Sequence, residues 1–227
     1  MSADRSCDSC CVFPNFNINV DHLWNGEEFE LGDTITNAVG ATFRLLDYNI
    51  VFSDFLFVDN ERVFAIADSF RISTSDGQKF ILDDFVVIDN TTNNVTIGSI
   101  NTVQNFDQIR FKIGLDQCVD DNELQVLEES SKSTALTSIQ DDNGFRELSF
   151  ILTDTLGVEY NPIMYDYSPR VEIVKAVNVS NLAGNILVLD VAIDYGIWLS
   201  EVDLSLESSD TANRLLERAS SAISFTQ

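Results

Sequence analysis

Histidine, methionine, tryptophan and proline are all scarce in this chain of 227 residues, which holds one, two, two and three of them. A lone imidazole cannot hold a metal by itself, and any Ser-His-Asp relay would have to run through His22. No Gly-x-Ser-x-Gly elbow, His-Glu-x-x-His pair, phosphate-cradling Gly-rich loop or dinucleotide fingerprint occurs. Paired carboxylates could still perform acid–base work, but nothing marks out a pair among the 37 acidic residues. The chain is therefore read as non-enzymatic. Positive charge is scarce too: 13 basic residues face those 37, a formal net charge of −24. Such a surface repels phosphate backbones and anionic bilayers, so neither nucleic acid nor a membrane surface is an expected partner. No apolar run approaches the roughly 18 residues that span a bilayer. No apolar stretch of the signal-peptide kind follows Met1 either. That leaves a cytoplasmic protein or the mature form of an exported one, and the cysteines favour the second.

Those cysteines number four, with Cys7, Cys10 and Cys11 crowded together and Cys118 alone. They permit two disulfides in three connectivities, and an oxidising compartment would use them. Cys118 is expected to clip one of the three to the folded body. A metal reading of Cys7, Cys10 and Cys11 would need further Cys or His ligands, which the chain hardly has.

What the chain has in plenty is alternation. Phe16, Ile18, Val20, His22 and Trp24 alternate with Asn17, Asn19, Asp21 and Leu23. A period of two sends successive side chains to opposite faces, so this is a half-buried strand with His22 pointing inward beside a tryptophan. Ala41 to Leu46 and Tyr48 to Val58 read as two further strands, with Leu46, Tyr48, Ile50, Phe52, Leu56 and Val58 on one parity. Asn25-Gly26 is a turn, and Glu28 to Leu31 returns as a short strand. Residues 61–79 are ambiguous. Phe80 to Ile88, Val95 to Ile100, Gln108 to Leu115, Phe145 to Leu152, Val171 to Val177 and Ile186 to Tyr195 are further strands. Arg110 and Lys112 form a modest positive stripe on one of them. Residues 116–144 read as a long loop with a short helix around Glu123–Glu129. Ser209-Asp210 caps a terminal helix whose apolar stripe is Leu215, Leu216, Ala219, Ala222 and Ile223. The expected fold is all-β, an antiparallel β-sandwich with a short C-terminal helix. Residues 1–14 form a tail and residues 15–227 a single domain.

Several spaced pieces carry a family resemblance. They are Val20-Asp21-His22, Asn25-Gly26-Glu27, Asn37-Ala38-Val39-Gly40, Tyr48-Asn49-Ile50-Val51-Phe52-Ser53 and the run from Phe106 to Asp116. In this order they resemble the MbnP-like family of extracytoplasmic β-proteins, associated with copper and methanobactin handling. The likeness spans most of residues 16–116 and returns weakly near the C-terminus. It implies a binding or accessory protein of the periplasm or outer-membrane surface, with an outer-membrane transporter or a di-haem peroxidase as partner. A lipid anchor on an N-terminal cysteine would be the contact with the membrane. Copper is the implied metal, with His22 as a ligand. The family is also expected to carry a second histidine and a Met/Trp/Tyr-rich segment. This chain has no second histidine, and the nearest segment, Asn161 to Ser168, holds Met164, Tyr165 and Tyr167 but no tryptophan.

Calcium is the other candidate cation. Asp116, Asp120, Asp121, Asn122 and Glu123 gather hard oxygen ligands in one loop, and Asp141, Asp142 and Asn143 in another. The alternative function is accordingly a structural or adhesive surface module with calcium-stiffened acidic loops.

Overall fold

The structure, a computed structural model, describes residues 15–66, 68–74, 77–82, 84–100, 105–115, 125–126, 131–165, 171–179, 186–205 and 208–226. In chain order the first half gives β1 (Asn15–Trp24), β2 (Glu27–Glu28), β3 (Thr34–Thr36), β4 (Thr42–Asp59), β5 (Arg62–Ala65), β6 (Ser69–Thr74), β7 (Gly77–Leu82), β8 (Val86–Asp89), β9 (Asn94–Ser99) and β10 (Phe106–Ile113). The second half gives β11 (Gln125–Val126), α1 (Ser131–Ile139), β12 (Gln140–Asp141), β13 (Gly144–Asp154), β14 (Glu159–Tyr160), β15 (Ile163–Tyr165), β16 (Val171–Val179), β17 (Ile186–Asp194), α2 (Tyr195–Trp198), α3 (Ser208–Ala222) and β18 (Ile223–Thr226).

These strands make the expected β-sandwich. The smaller sheet runs β18-β17-β1-β2, with β9 also paired to β1. The larger sheet runs β12-β13-β4-β10-β16, with β3, β5 and β8 added to β4 and β14 and β15 to β13. A third, small sheet holds β11, β6 and β7. The two main sheets meet through aromatic rings: Phe16 of β1 stands edge-on to Phe55 and Phe57 of β4, at 5.7 and 4.8 Å between centroids. Such pairs add about 1 kcal/mol each beyond the area they bury.

One pairing departs from the antiparallel expectation. β1 and β17 run parallel, from Asn15↔Ile186 to Leu23↔Asp194. Parallel neighbours need a long crossover, and here the crossover contains every strand of the larger sheet. Alternation in each strand shows its inward face but is blind to the partner's direction.

β4 shows why two expected strands are one. It is 18 residues long and is kept continuous by two irregularities that flip its inward parity. Against β13 the register skips Leu46, so Phe43 and Leu45 face inward before the bulge, and Tyr48, Ile50 and Phe52 after it. Leu46 is thereby turned outward and left 41% exposed, against its expected place on the inner face. Asp54 then takes a left-handed φ of 55° where the register with β10 shifts. Phe55 and Phe57 swing inward as a result. Lys112 pairs with the Asp54 carboxylate, so one member of the positive stripe is neutralised locally.

Other boundaries move as well. The run Phe80 to Ile88 is broken at Asp84 and Phe85 between β7 and β8. Of the helix expected around Glu123–Glu129 only Gln125 and Val126 are described, and they pair with β6 as β11. A helix, α1, follows, where Leu136 and Ile139 cover Val51, Phe85, Leu115 and Phe145 on the outer face of the larger sheet. That satellite core is what orders the end of the long connection. The terminal helix is α3, and its Leu215, Leu216, Ala219 and Ala222 are buried as expected. All four cysteines, and with them the disulfide expectation, lie outside the described residues.

Candidate metal centre at His22

Two strands, the start of α2 and a turn converge on the one imidazole. β1 carries His22 inward, one step beyond Val20 on the same face. β4 supplies Tyr48, which faces inward only because the bulge at Leu46 has switched parity. β17 ends at Asp194, and Tyr195 follows it directly as the first residue of α2. The β8–β9 turn supplies the Thr92 carbonyl. This turn is closed by the Asp89 carboxylate, which accepts from the Thr91 N–H and the Thr91 and Thr92 hydroxyls at 2.8–2.9 Å. Those bonds hold the Asp89 carboxyl below the usual carboxylate range despite its partial burial.

The hydrogen bonds assign the tautomer. A carbonyl can only accept, so His22 Nε2–H donates to Thr92 O at 3.0 Å. Nδ1 is then the unprotonated nitrogen, and the hydroxyls of Tyr48 and Tyr195 reach it at 2.9 and 3.0 Å. The two phenols are also bonded to each other. Two proton arrangements satisfy every group: one phenol donates to the other, which donates to His22 Nδ1, in either order, while His22 donates to Thr92. Such a chain polarises along its length and strengthens itself. Tyr48 and Tyr195 are 2% and 0% exposed, and burial drives both phenols well above their ordinary pKa. Burial also lowers the His22 pKa, outweighing the Thr92 bond and the charges of Asp21 and Asp89. The neutral imidazole is thus the resting form.

Rings reinforce the cluster. His22 lies parallel to Tyr195 at 6.0 Å and tilted to Tyr48 at 5.7 Å, and the two tyrosines are 4.9 Å apart. Trp24, the neighbour expected from sequence, instead rests its ring on Phe29 at 6.0 Å. Both tyrosines had been legible as inward-facing. That they meet at one nitrogen depends on the β4 bulge and on the β1–β17 pairing.

The calcium candidates fare differently from one another. Asp116, Asp120, Asp121 and Glu123 lie outside the described residues. Asp141 is in place, but its carboxylate accepts the Asn143 N–H at 2.7 Å and sits 3.7 Å from Arg146, closing the β12–β13 hairpin. Among the described residues no group of three His, Cys, Asp or Glu side chains could hold a metal ion. Met164 is buried in the sandwich core, 2% exposed.

The family model for MbnP matches residues 14–152, a span that includes β1, β4, His22 and Tyr48. The chain belongs to the MbnP family. A solved structure, MbnP from Methylosinus trichosporium, is similar at 11% sequence identity and a TM-score of 0.45, covering 83% of this chain and 78% of that one. No curated protein matches.

The MbnP resemblance carries copper with it, and the donors at His22 can be tested for fit. Copper asks for imidazole, thiolate or thioether donors, two or more together. Here one ring nitrogen is protonated and donating, the other already accepts a phenol, and both phenols are held neutral by burial. This is a closed hydrogen-bond chain rather than a ligand set, and the described residues around His22 do not fit a copper centre.

The same geometry fixes a pH dependence. A folded pKa below the unfolded value means that the neutral imidazole contributes stability above about pH 6.5. That contribution drains away as pH falls through 6.5 towards the folded pKa, because the unfolded chain takes the proton first. Urea midpoints are expected to drop between about pH 7.5 and about pH 5.5, a window in which ordinary carboxylates stay ionised. The drop is expected to vanish in His22→Gln, and equal slopes in both proteins would contradict the placement of the ring.

Proposed function

We propose that this chain is a non-enzymatic MbnP-type binding protein of the bacterial envelope. In this reading it works beside an outer-membrane transporter or a di-haem peroxidase and does not carry copper on His22. The family match over residues 14–152 supports the first part. The observation that carries the second is the occupancy of both ring nitrogens of His22 by protein partners. The same occupancy argues against catalysis, since the sole histidine faces two tyrosines and a carbonyl rather than a nucleophile. His22 then acts as a polar lock between the sheets, joining β1, β4, the β8–β9 turn and the β17–α2 junction.

Copper titration of the reduced and oxidised protein tests this directly. The expected result is that His22→Ala binds Cu(I) and Cu(II) as the parent does. Tight one-to-one uptake that is lost in His22→Ala would overturn the assignment. Fractionation of cells that make the protein tests the location, with the envelope fractions expected and a cytosolic pool opposed to it.

A further inference from the structure

At the end of the sandwich where β1 and β17 finish, a groove of about 430 Å³ opens between the β1–β2 turn, the Thr36–Ala38 segment, α2 and α3. That volume falls in the range of small-molecule sites, roughly 300–1,000 Å³. Its walls are fixed from behind. The Asp194 carboxylate accepts the N–H groups of Asn25, Gly26, Gly196 and Ile197 at 2.9–3.2 Å, tying the β1–β2 turn to the first turn of α2. Asn37 spends its side chain the same way, donating to Leu199 O and Val202 O at 2.9 and 2.8 Å and accepting the Ala41 N–H. Gly196 lets the two segments touch, because a Cβ there would come within 2.6 Å of the Asn25 backbone nitrogen.

What lines the groove is chemically mixed. Trp24 and Ile197 give apolar surface, and Ile197 is 38% exposed. The Asn25 carboxamide makes no hydrogen bond of its own among the described residues and is solvent-exposed. Thr36 and Ser200 add hydroxyls. Arg218 of α3 brings positive charge into the groove of a chain whose formal net is −24. It pairs with Glu201 through one guanidinium nitrogen, and a guanidinium has five N–H donors in a fork shaped for a carboxylate.

From this combination we infer that the groove binds a small organic carboxylate with a flat apolar body. The carboxylate lies against Arg218, the body against Trp24 and Ile197, and Asn25 supplies a polar contact at the edge. An indole and a guanidinium lining one groove suit such a molecule, because the ring buries the flat body while the fork neutralises the acid. The inference stands on the groove alone and is untouched by the outcome at His22.

Benzoate is the test probe, followed by NMR through the indole N–H of Trp24, with the buried Trp198 as internal control. A Kd on the order of 1 mM is expected, with the Trp24 signal moving and the Trp198 signal still. Acetate, which lacks the ring, and benzyl alcohol, which lacks the charge, should each bind at least about tenfold more weakly. Arg218→Gln should lose about tenfold. Glu201→Gln should bind benzoate more tightly than the parent, since it frees the guanidinium, and a merely structural Arg218 would show no such gain. A still Trp24 signal, equal binding of benzyl alcohol, or an unchanged Kd in either variant would overturn the assignment.

Discussion

Asp194→Ala is expected to cost about 3 kcal/mol of stability, a large loss for one exposed-edge carboxylate. The carboxylate is the N-cap of α2, accepting from Gly196 and Ile197, and it also holds the Asn25 and Gly26 amides of the β1–β2 turn. A cap alone is worth about 1 kcal/mol, and bonds to a charged acceptor about 1.5–3 kcal/mol when their partners cannot reach water. Two of the four donors lie in an exposed turn and recover hydration, so the sum falls well short of four full bonds. Asp194→Asn separates the contributions. Three donors use Oδ1 and only Gly26 uses Oδ2, so an amide keeps the cap and loses a single bond, at about 1 kcal/mol. Urea midpoints of the two variants check this, and similar losses for both would show that the four bonds do not share the carboxylate as described.

Asp194 also marks where sequence reading reached its limit. The alternation of Ile186 to Tyr195 shows which side chains face inward, and Leu187, Leu189, Val191, Ile193 and Tyr195 are buried as that pattern requires. It assigns Asp194 to the outward face and stops there. The acid's role depends on a turn 169 residues away, brought alongside by the parallel β1–β17 pair. Local period carries no information about such a partner. His22 repeats the lesson: its inward direction was legible, as were those of Tyr48 and Tyr195. Their meeting was not, because a one-residue bulge at Leu46 decides which parity of β4 reaches the core. The strands, the sandwich and the terminal helix are encoded locally in alternation and in the helical spacing of Leu215, Leu216, Ala219 and Ala222, while the helix begins at Ser208 and takes the expected cap, Ser209-Asp210, into its first turn. The crossing of distant elements at His22, and the groove beside Trp24, are properties of the assembled sheets.

The second large effect is expected at Trp198. This side chain is 1% exposed, and it joins three elements that sequence alone leaves unconnected. Its ring stands edge-on to Phe150 of the larger sheet at 5.7 Å, while its Nε1–H donates to the Leu215 carbonyl of α3 at 2.7 Å. Truncating a buried tryptophan removes its transfer free energy and leaves a cavity that rigid sheets cannot close, about 4 kcal/mol together. For a chain of this length that lowers the Tm by on the order of 10 °C. Trp198→Phe keeps most of the volume and loses the indole donor. The Leu215 carbonyl keeps its place in the helix ladder, so that loss should stay near 1 kcal/mol. Hydrogen exchange then distinguishes a cavity from a detached helix. In Trp198→Ala the amides of α3 should lose protection before those of β4, because α3 packs on α2, β15 and β16, and Trp198 is what ties it to α2. Uniform loss of protection across both would mean that α3 is as integral to the sandwich as its strands, and that Trp198 locks the whole core rather than one flank.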